Sequence, residues 1–322
     1  MHTPSSAGPA GAEPPLNLLD LELLHNFTTA TYTTLSSDCT IRELWKTDII
    51  RHAARHDYVM RSILAVSALH LSQYRPEKKN DYIAHAYLQH QAATHTAVSL
   101  MKQMDGTEKC EALWIFSILT MYFALGCPRT SNTSLLIGES AFPDWIFLLS
   151  GVRKLLYRLQ SSSYSGMLSP ILALGAKRWE ISHDPKFTES KVLDSLGDLM
   201  SSTVPDESLR GIYSEAICEL RGQLNLALSS SFQSLDIMDA FVWQFTVAET
   251  FMPLLQVPTQ EAVAIFAYFC VVLNKLEGNM WLRGWSSFLM SRAWEILDAN
   301  HRGWIRWPIE EIGWIAPSGH GN

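Results

Sequence analysis

The chain has 322 residues and a formal net charge of −7, with a pI near 5.9. Apolar residues make up 47 % and charged residues 18 %, enough for a large core in one big domain or two ordinary ones and too apolar for global disorder. No Lys/Arg run is longer than a pair, as at Lys177-Arg178, so the basic face that grips nucleic-acid phosphates is missing.

Residues 1–15 are rich in Pro, Gly, Ala and Ser and are expected to form a disordered tail. Asn17 offers a cap for a helix whose leucines (Leu18, Leu21, Leu24, and one position over Leu19, Leu23) and Phe27 recur at helical spacing. A threonine-rich run follows, Thr28–Thr34. Thr40 with Glu43 has the capping-box pattern and predicts a helix through Leu44, Trp45, Ile49 and Ile50. Asp57 is placed to cap the next helix, which runs to Arg75-Pro76 and carries Ile63, Leu64, Val66, Ala68, Leu69 and Leu71. Only Arg61, Ser62, Ser67 and His70 interrupt its apolar surface, so it should be buried on several sides.

A further helix is expected from about Glu77 to Met104, and a very apolar one over 108–125, stopped by Gly126-Cys-Pro128. A Ser/Thr/Asn loop to about Pro143 and a helix from Trp145 to about Ser161 come next. Short helices are expected near 167–176 and 190–201. After Pro205 the residues Leu209, Ile212, Tyr213, Ala216, Ile217, Leu220 and Leu224 step at i+3 and i+4, the pattern of an amphipathic helix. Three more helices fall near 235–252, 260–277 and 281–299. No strand-like alternation persists and no repeat is visible. The fold class is therefore all-α: about a dozen helices in one domain over 16–315, with a tail at 316–322.

The apolar runs Ala112–Leu125 and Ala262–Leu273 fall short of the roughly 18–20 residues of a membrane span, so no span is expected and both read as buried helices. No secretory signal precedes them. Cys39, Cys110, Cys127, Cys218 and Cys270 are odd in number and scattered, with no C-x-x-C, which suits a reducing compartment better than a disulfide frame or a zinc site.

Chemistry-bearing motifs are few. Asp48, His52 and His56 would share one face of a continuous helix, yet Arg51 and Arg55 flank them and no H-E-x-x-H surrounds them, so no metal is expected. His85, His90 and His95 are spaced by five, about 140° per step on a helix, and do not converge. No nucleophile elbow, P-loop, dinucleotide fingerprint or DD-x-x-D is present. Asp194 and Asp198 form a lone i, i+4 pair. No cofactor and no catalytic residue is singled out. The aromatic and Met-rich helices read first as core and second as an apolar ligand pocket. The pocket reading would use His70, Trp114, Met121, Tyr122, Phe269, Trp281 and Trp285.

Five phrases in order resemble the regulatory domain of fungal binuclear zinc-cluster transcription factors, in the subgroup similar to sterol uptake control proteins. They are Leu18-Leu-Asp-Leu-Glu-Leu-Leu-His25 with its Thr-rich tail, Ser62–Leu69 closed by His70-Leu71, Leu149-Ser-Gly-Val-Arg153, Trp281-Leu-Arg-Gly-Trp285 and Trp304-Ile-Arg-Trp-Pro308. The resemblance implies an all-helical effector domain, commonly dimeric, nuclear (with the cytoplasm as alternative), holding a sterol-like ligand in sterol-responsive members. Such factors carry a six-cysteine zinc cluster ahead of this domain, and Met1–Pro15 contains no cysteine. This chain is therefore expected not to bind DNA by itself, as a piece of a longer factor or a stand-alone homologue.

Three functions follow as expectations. One is a ligand-sensing transcription-regulator domain, dimerising through an apolar helix face such as Asp206–Leu228. Another is an enzyme guiding cyclisation or isomerisation of an apolar intermediate, with His70, Glu111 or Glu249 as acid or base. The third is a co-regulator that pairs with a full-length zinc-cluster factor.

Overall fold

The computed structural model describes residues 17–101, 107–129, 164–183, 191–228 and 235–317. Among them every regular element is a helix, and no strand occurs. The first helix, α1 (Leu18–Thr29), starts where Asn17 accepts from the Asp20 N–H and buries Leu23 and Phe27. A 3-10 turn, Thr31–Thr34, leads to α2 (Cys39–Lys46). Its cap is Asp38, not Thr40: the Asp38 carboxylate takes the N–H groups of both Thr40 and Ile41, at 2.8 and 3.0 Å. One carboxylate thus satisfies two orphan donors that the Thr40 hydroxyl could not reach from inside the first turn. The predicted single helix through Ile50 is broken at Thr47 and resumes as α3 (Asp48–Ala53).

α4 (Asp57–Tyr74) is the hub of the N-terminal half, packing on α1, α5 (Lys79–Met101) and α6 (Thr107–Gly126). His56, not Asp57, is its cap residue; Asp57 opens the first turn and pairs with Arg61 at 3.1 Å. From Ser62 to Ser72 every residue is buried, as the near-absence of a polar face requires. The polar interruptions are absorbed locally: Ser62 and Ser72 donate to the carbonyls of Tyr58 and Leu69, and Ser67 donates across to Leu23 on α1 at 2.7 Å. α6 is buried without interruption from Cys110 to Leu125. By length and composition it could cross a membrane, but 89 % of its apolar window is covered by the rest of the chain, the state of a core helix.

The C-terminal half runs α7 (Ser169–Ser182), α8 (Asp194–Thr203), α9 (Glu207–Leu228), α10 (Ile237–Thr246), α11 (Pro253–Gln256), α12 (Gln260–Asn274), α13 (Trp285–Ile296), α14 (Ala299–Arg302) and α15 (Arg306–Ile312). Its hub is α12, buried from Ala262 through Leu273 and packed on α9, α13 and α15. Each of its leucine- or phenylalanine-sized side chains contributes about 1.5–3 kcal/mol by leaving water. The apolar stripe of α9 is spent inside the chain: Tyr213, Ala216, Ile217, Leu220 and Leu224 are buried, and the Trp243 indole of α10 donates to the Ala216 carbonyl at 2.9 Å. That face is not open for a dimer. The five cysteines are free thiols.

The halves are tied by the Trp281–Trp285 corner. Trp281 donates its indole N–H to the Thr34 hydroxyl at 2.9 Å, and Trp285 donates to the Leu125 carbonyl at 3.0 Å. Gly284 takes φ +72° there, a left-handed backbone that a side chain would strain. Trp281 also lies on Gly126, where a Cβ would sit 2.8 Å from its ring. The expected loop and helix over 130–163, with the Leu149–Arg153 phrase, the N-terminal tail and residues 318–322 of the C-terminal tail, lie outside the described residues.

Candidate functional site

A cavity of about 540 Å³ opens between the N-terminal corner, α7 and α10, within the range of small-molecule sites. One wall is Leu35, Ile41, Trp45 and Trp114; the other is Ile171, Leu172 and Leu174 of α7 with Met238, Val242 and Phe245 of α10. At the mouth stand Gly175, where an added Cβ would meet nothing within 4 Å, and Trp179, 42 % exposed and stacked on His183. Most of the lining is apolar, so the polar groups that remain set orientation.

Those groups form one buried network. Asp236 is the cap residue of α10 and Asp239 lies one turn inside it. The Asp239 carboxylate accepts the Asp236 N–H at 2.7 Å and takes the Arg178 guanidinium of α7; the same guanidinium is 3.8 Å from Asp236. Asp236 in turn accepts from the Ser36 hydroxyl at 2.5 Å and the Ser37 N–H at 2.6 Å. Two buried carboxylates thus share one guanidinium, an excess of negative charge in a poorly solvated place. Burial pushes the Asp239 carboxyl above its ordinary value, and Arg178 holds it back. The Tyr122 hydroxyl braces the wall by donating to the Leu35 carbonyl at 2.6 Å. Trp114, 2 % exposed, keeps its indole N–H without a hydrogen-bond partner among the described residues.

The residues read from sequence as pocket lining fall in separate places. Trp114 is a wall of this cavity. His70, Tyr122 and Trp281 meet in the core, the Trp281 ring 6.3 Å from His70 and 5.7 Å from Tyr122. Met121 is buried on α6. Phe269 packs on Trp243 with ring centres 5.0 Å apart. Trp285 packs under Arg129, 5.4 Å from its ring. The acid–base candidates are spread as well: Glu111 accepts from the Tyr164 hydroxyl and the Met167 N–H, while Glu249 is exposed. Gly166 permits that contact, since a Cβ there would collide with Glu111 and Tyr164.

Arg178, Asp236 and Asp239 carry the site and no spacing in the sequence announces them. The one local signal is an aspartate pair three apart opening the apolar run Ile237–Phe245, a cap pattern rather than a ligand pattern. Asp48, which a continuous helix would align with His52 and His56, turns away to Arg51 at 2.7 Å.

No family model matches the chain. It is distantly similar to a curated Zn(2)-C6 fungal-type transcription factor of Gibberella zeae, with 22 % identity over 318 residues, 91 % of this chain and 61 % of that protein. The chain thus spans about three fifths of the length of the curated relative it matches. The likeness is to a protein of transcription-regulator type.

Proposed function

We propose that this chain is the effector part of a transcription regulator and takes an apolar small molecule, sterol- or terpenoid-like, into the cavity under Trp179. The observation that carries the reading is the cavity itself: apolar walls closing on the buried Ser36–Asp236–Asp239–Arg178 network. Similarity to a Zn(2)-C6 fungal-type transcription factor supports the regulatory half of it. The carboxylates at this end are acceptors, which favours a ligand whose polar end donates a hydrogen bond, such as a hydroxyl. The unspent Trp114 N–H offers a second polar contact, to an acceptor on the ligand. Such a domain acts in the nucleus, and pairing with a full-length zinc-cluster factor would bring it to DNA.

The test is uptake. Delipidated protein is titrated with hydroxylated sterols, terpenoid alcohols and fatty acids, following tryptophan fluorescence and calorimetry. Gly175→Phe is the control, because it fills the mouth from a helix position with open space around it and replaces a poor helix former. Saturable binding that Gly175→Phe abolishes, with the fold intact, supports the reading. No binding to any of the three classes, or equal binding to the blocked variant, defeats it.

A further inference from the structure

The broken corner between α3 and α4 creates a second, unrelated site. His52 lies in the last turn of α3 and His56 precedes α4 in an extended conformation, φ −131° and ψ 91°. The break brings the two imidazoles face to face, with ring centres 4.6 Å apart and planes 37° from parallel. Glu108, in the first turn of α6, completes the group: its Oε1 is 3.5 Å from His56 Nε2. One ligand atom from each of His52, His56 and Glu108 can be chosen so that all three lie within 4.8 Å of one another.

Two features separate this cluster from a chance meeting of surface groups. His52 is 3 % exposed, and Nε2 of both histidines is buried with no hydrogen bond among the described residues, His56 having only the 3.5 Å contact to Glu108. A buried polar atom left without a hydrogen bond is costly, and here two lie on adjoining rings. Placing them together is unfavourable unless something binds both. Arg55, 3.5 Å from Glu108, is the competing charge; Glu108 is 56 % exposed and free to turn from it toward the rings.

We infer that His52, His56 and Glu108 form a binding site for one divalent transition-metal ion of the zinc class, pinning the α3–α4 corner to the start of α6. Two imidazoles and one carboxylate suit such an ion, and the remaining tetrahedral position is left to water. Metal–ligand bonds of about 2.0–2.2 Å place tetrahedral ligand atoms about 3.4 Å apart, so the group needs to contract by little more than 1 Å. The apolar cavity plays no part in this site.

Tag-free, chelator-treated protein is titrated with Co2+ and Zn2+, reading the visible d–d absorption of Co2+, stoichiometry by calorimetry, and melting temperature. The inference expects one Co2+ per chain with a tetrahedral or five-coordinate band, displacement by Zn2+, and a melting temperature that rises with metal concentration. His56→Gln and Glu108→Gln, both at partly exposed positions, should each weaken binding at least about tenfold while circular dichroism stays unchanged. The inference is overturned if the chain takes up no Co2+ or Zn2+ below millimolar concentration. It is equally overturned if both folded variants bind as tightly as the parent, because the metal then sits elsewhere.

Discussion

Asn26 donates its side-chain amide to Nδ1 of His70 at 3.3 Å, across the α1–α4 interface. The amide has two protons for three neighbours, so this longest contact is a shared one. The same amide reaches the Ser67 hydroxyl at 3.0 Å and the Thr31 hydroxyl at 2.9 Å. Two of the sequence phrases, Leu18–His25 with its threonine tail and Ser62–Leu71, are thus sewn together by one asparagine just beyond the first.

Stability should therefore fall on mild acidification. Burial depresses His70 to about 4 and His90 to about 3. A lowered histidine means that the unfolded chain binds more protons between the folded and unfolded values. The contribution is fully present above about pH 6.5 and is lost as pH falls toward 4. For His70 alone the fall amounts to roughly 3 kcal/mol at about 1.4 kcal/mol per unit. Urea unfolding at pH 7.0, 5.5 and 4.5 reads it, and His70→Asn should remove one titrating group from the slope. An unchanged slope in that variant would show that His70 is solvated.

Arg178→Met should cost roughly 3 kcal/mol at pH 7, because it leaves Asp236 and Asp239 buried without their guanidinium. The penalty should shrink as pH is lowered and the Asp239 carboxyl, already raised by burial, takes up a proton. A loss that is constant with pH would mean that packing, not charge, sets it.

Gly126→Ala should destabilise by about 1–3 kcal/mol, since its Cβ would lie 2.8 Å from the Trp281 ring and 3.1 Å from a Leu69 methyl. Combined with Trp281→Phe, the total should be smaller than the sum of the two single losses. Strict additivity in chemical denaturation would show that the ring does not press on this glycine.

Gly211→Ala, by contrast, should stabilise by about 0.5–1 kcal/mol. It lies in the exposed part of α9 with nothing within 4 Å of an added Cβ. Thermal melting measures the gain directly.

The fold was legible because composition changes along this chain track burial. Ala112–Leu125 and Ala262–Leu273 read as buried helices, and every residue of both runs is buried. The breaks were less legible: no propensity signal marks the helix end at Thr47, and Asp38 takes the cap from Thr40 by geometry alone. The candidate cavity was mostly hidden. Of the seven residues chosen for it, only Trp114 lines it, because a tryptophan in a core and one in a cavity wall have the same neighbours in sequence. The polar end depends on Arg178 meeting Asp239 across 61 positions. The His52–His56 spacing was visible, but Glu108 comes from a different helix and Asp48 is claimed by Arg51.

Thr34 and Ser36 are held by partners that the chain makes very late. Asp236 lies 200 positions after Ser36, and Asn279 donates to the Thr34 carbonyl from 245 positions away. At a translation rate of about 5–20 residues per second, that second interval takes roughly 12–50 s. Throughout it, the faces of α4 and α6 that meet the Trp281–Trp285 corner stand uncovered on the ribosome. Synthesis of this protein should lean on holding chaperones until its last quarter emerges.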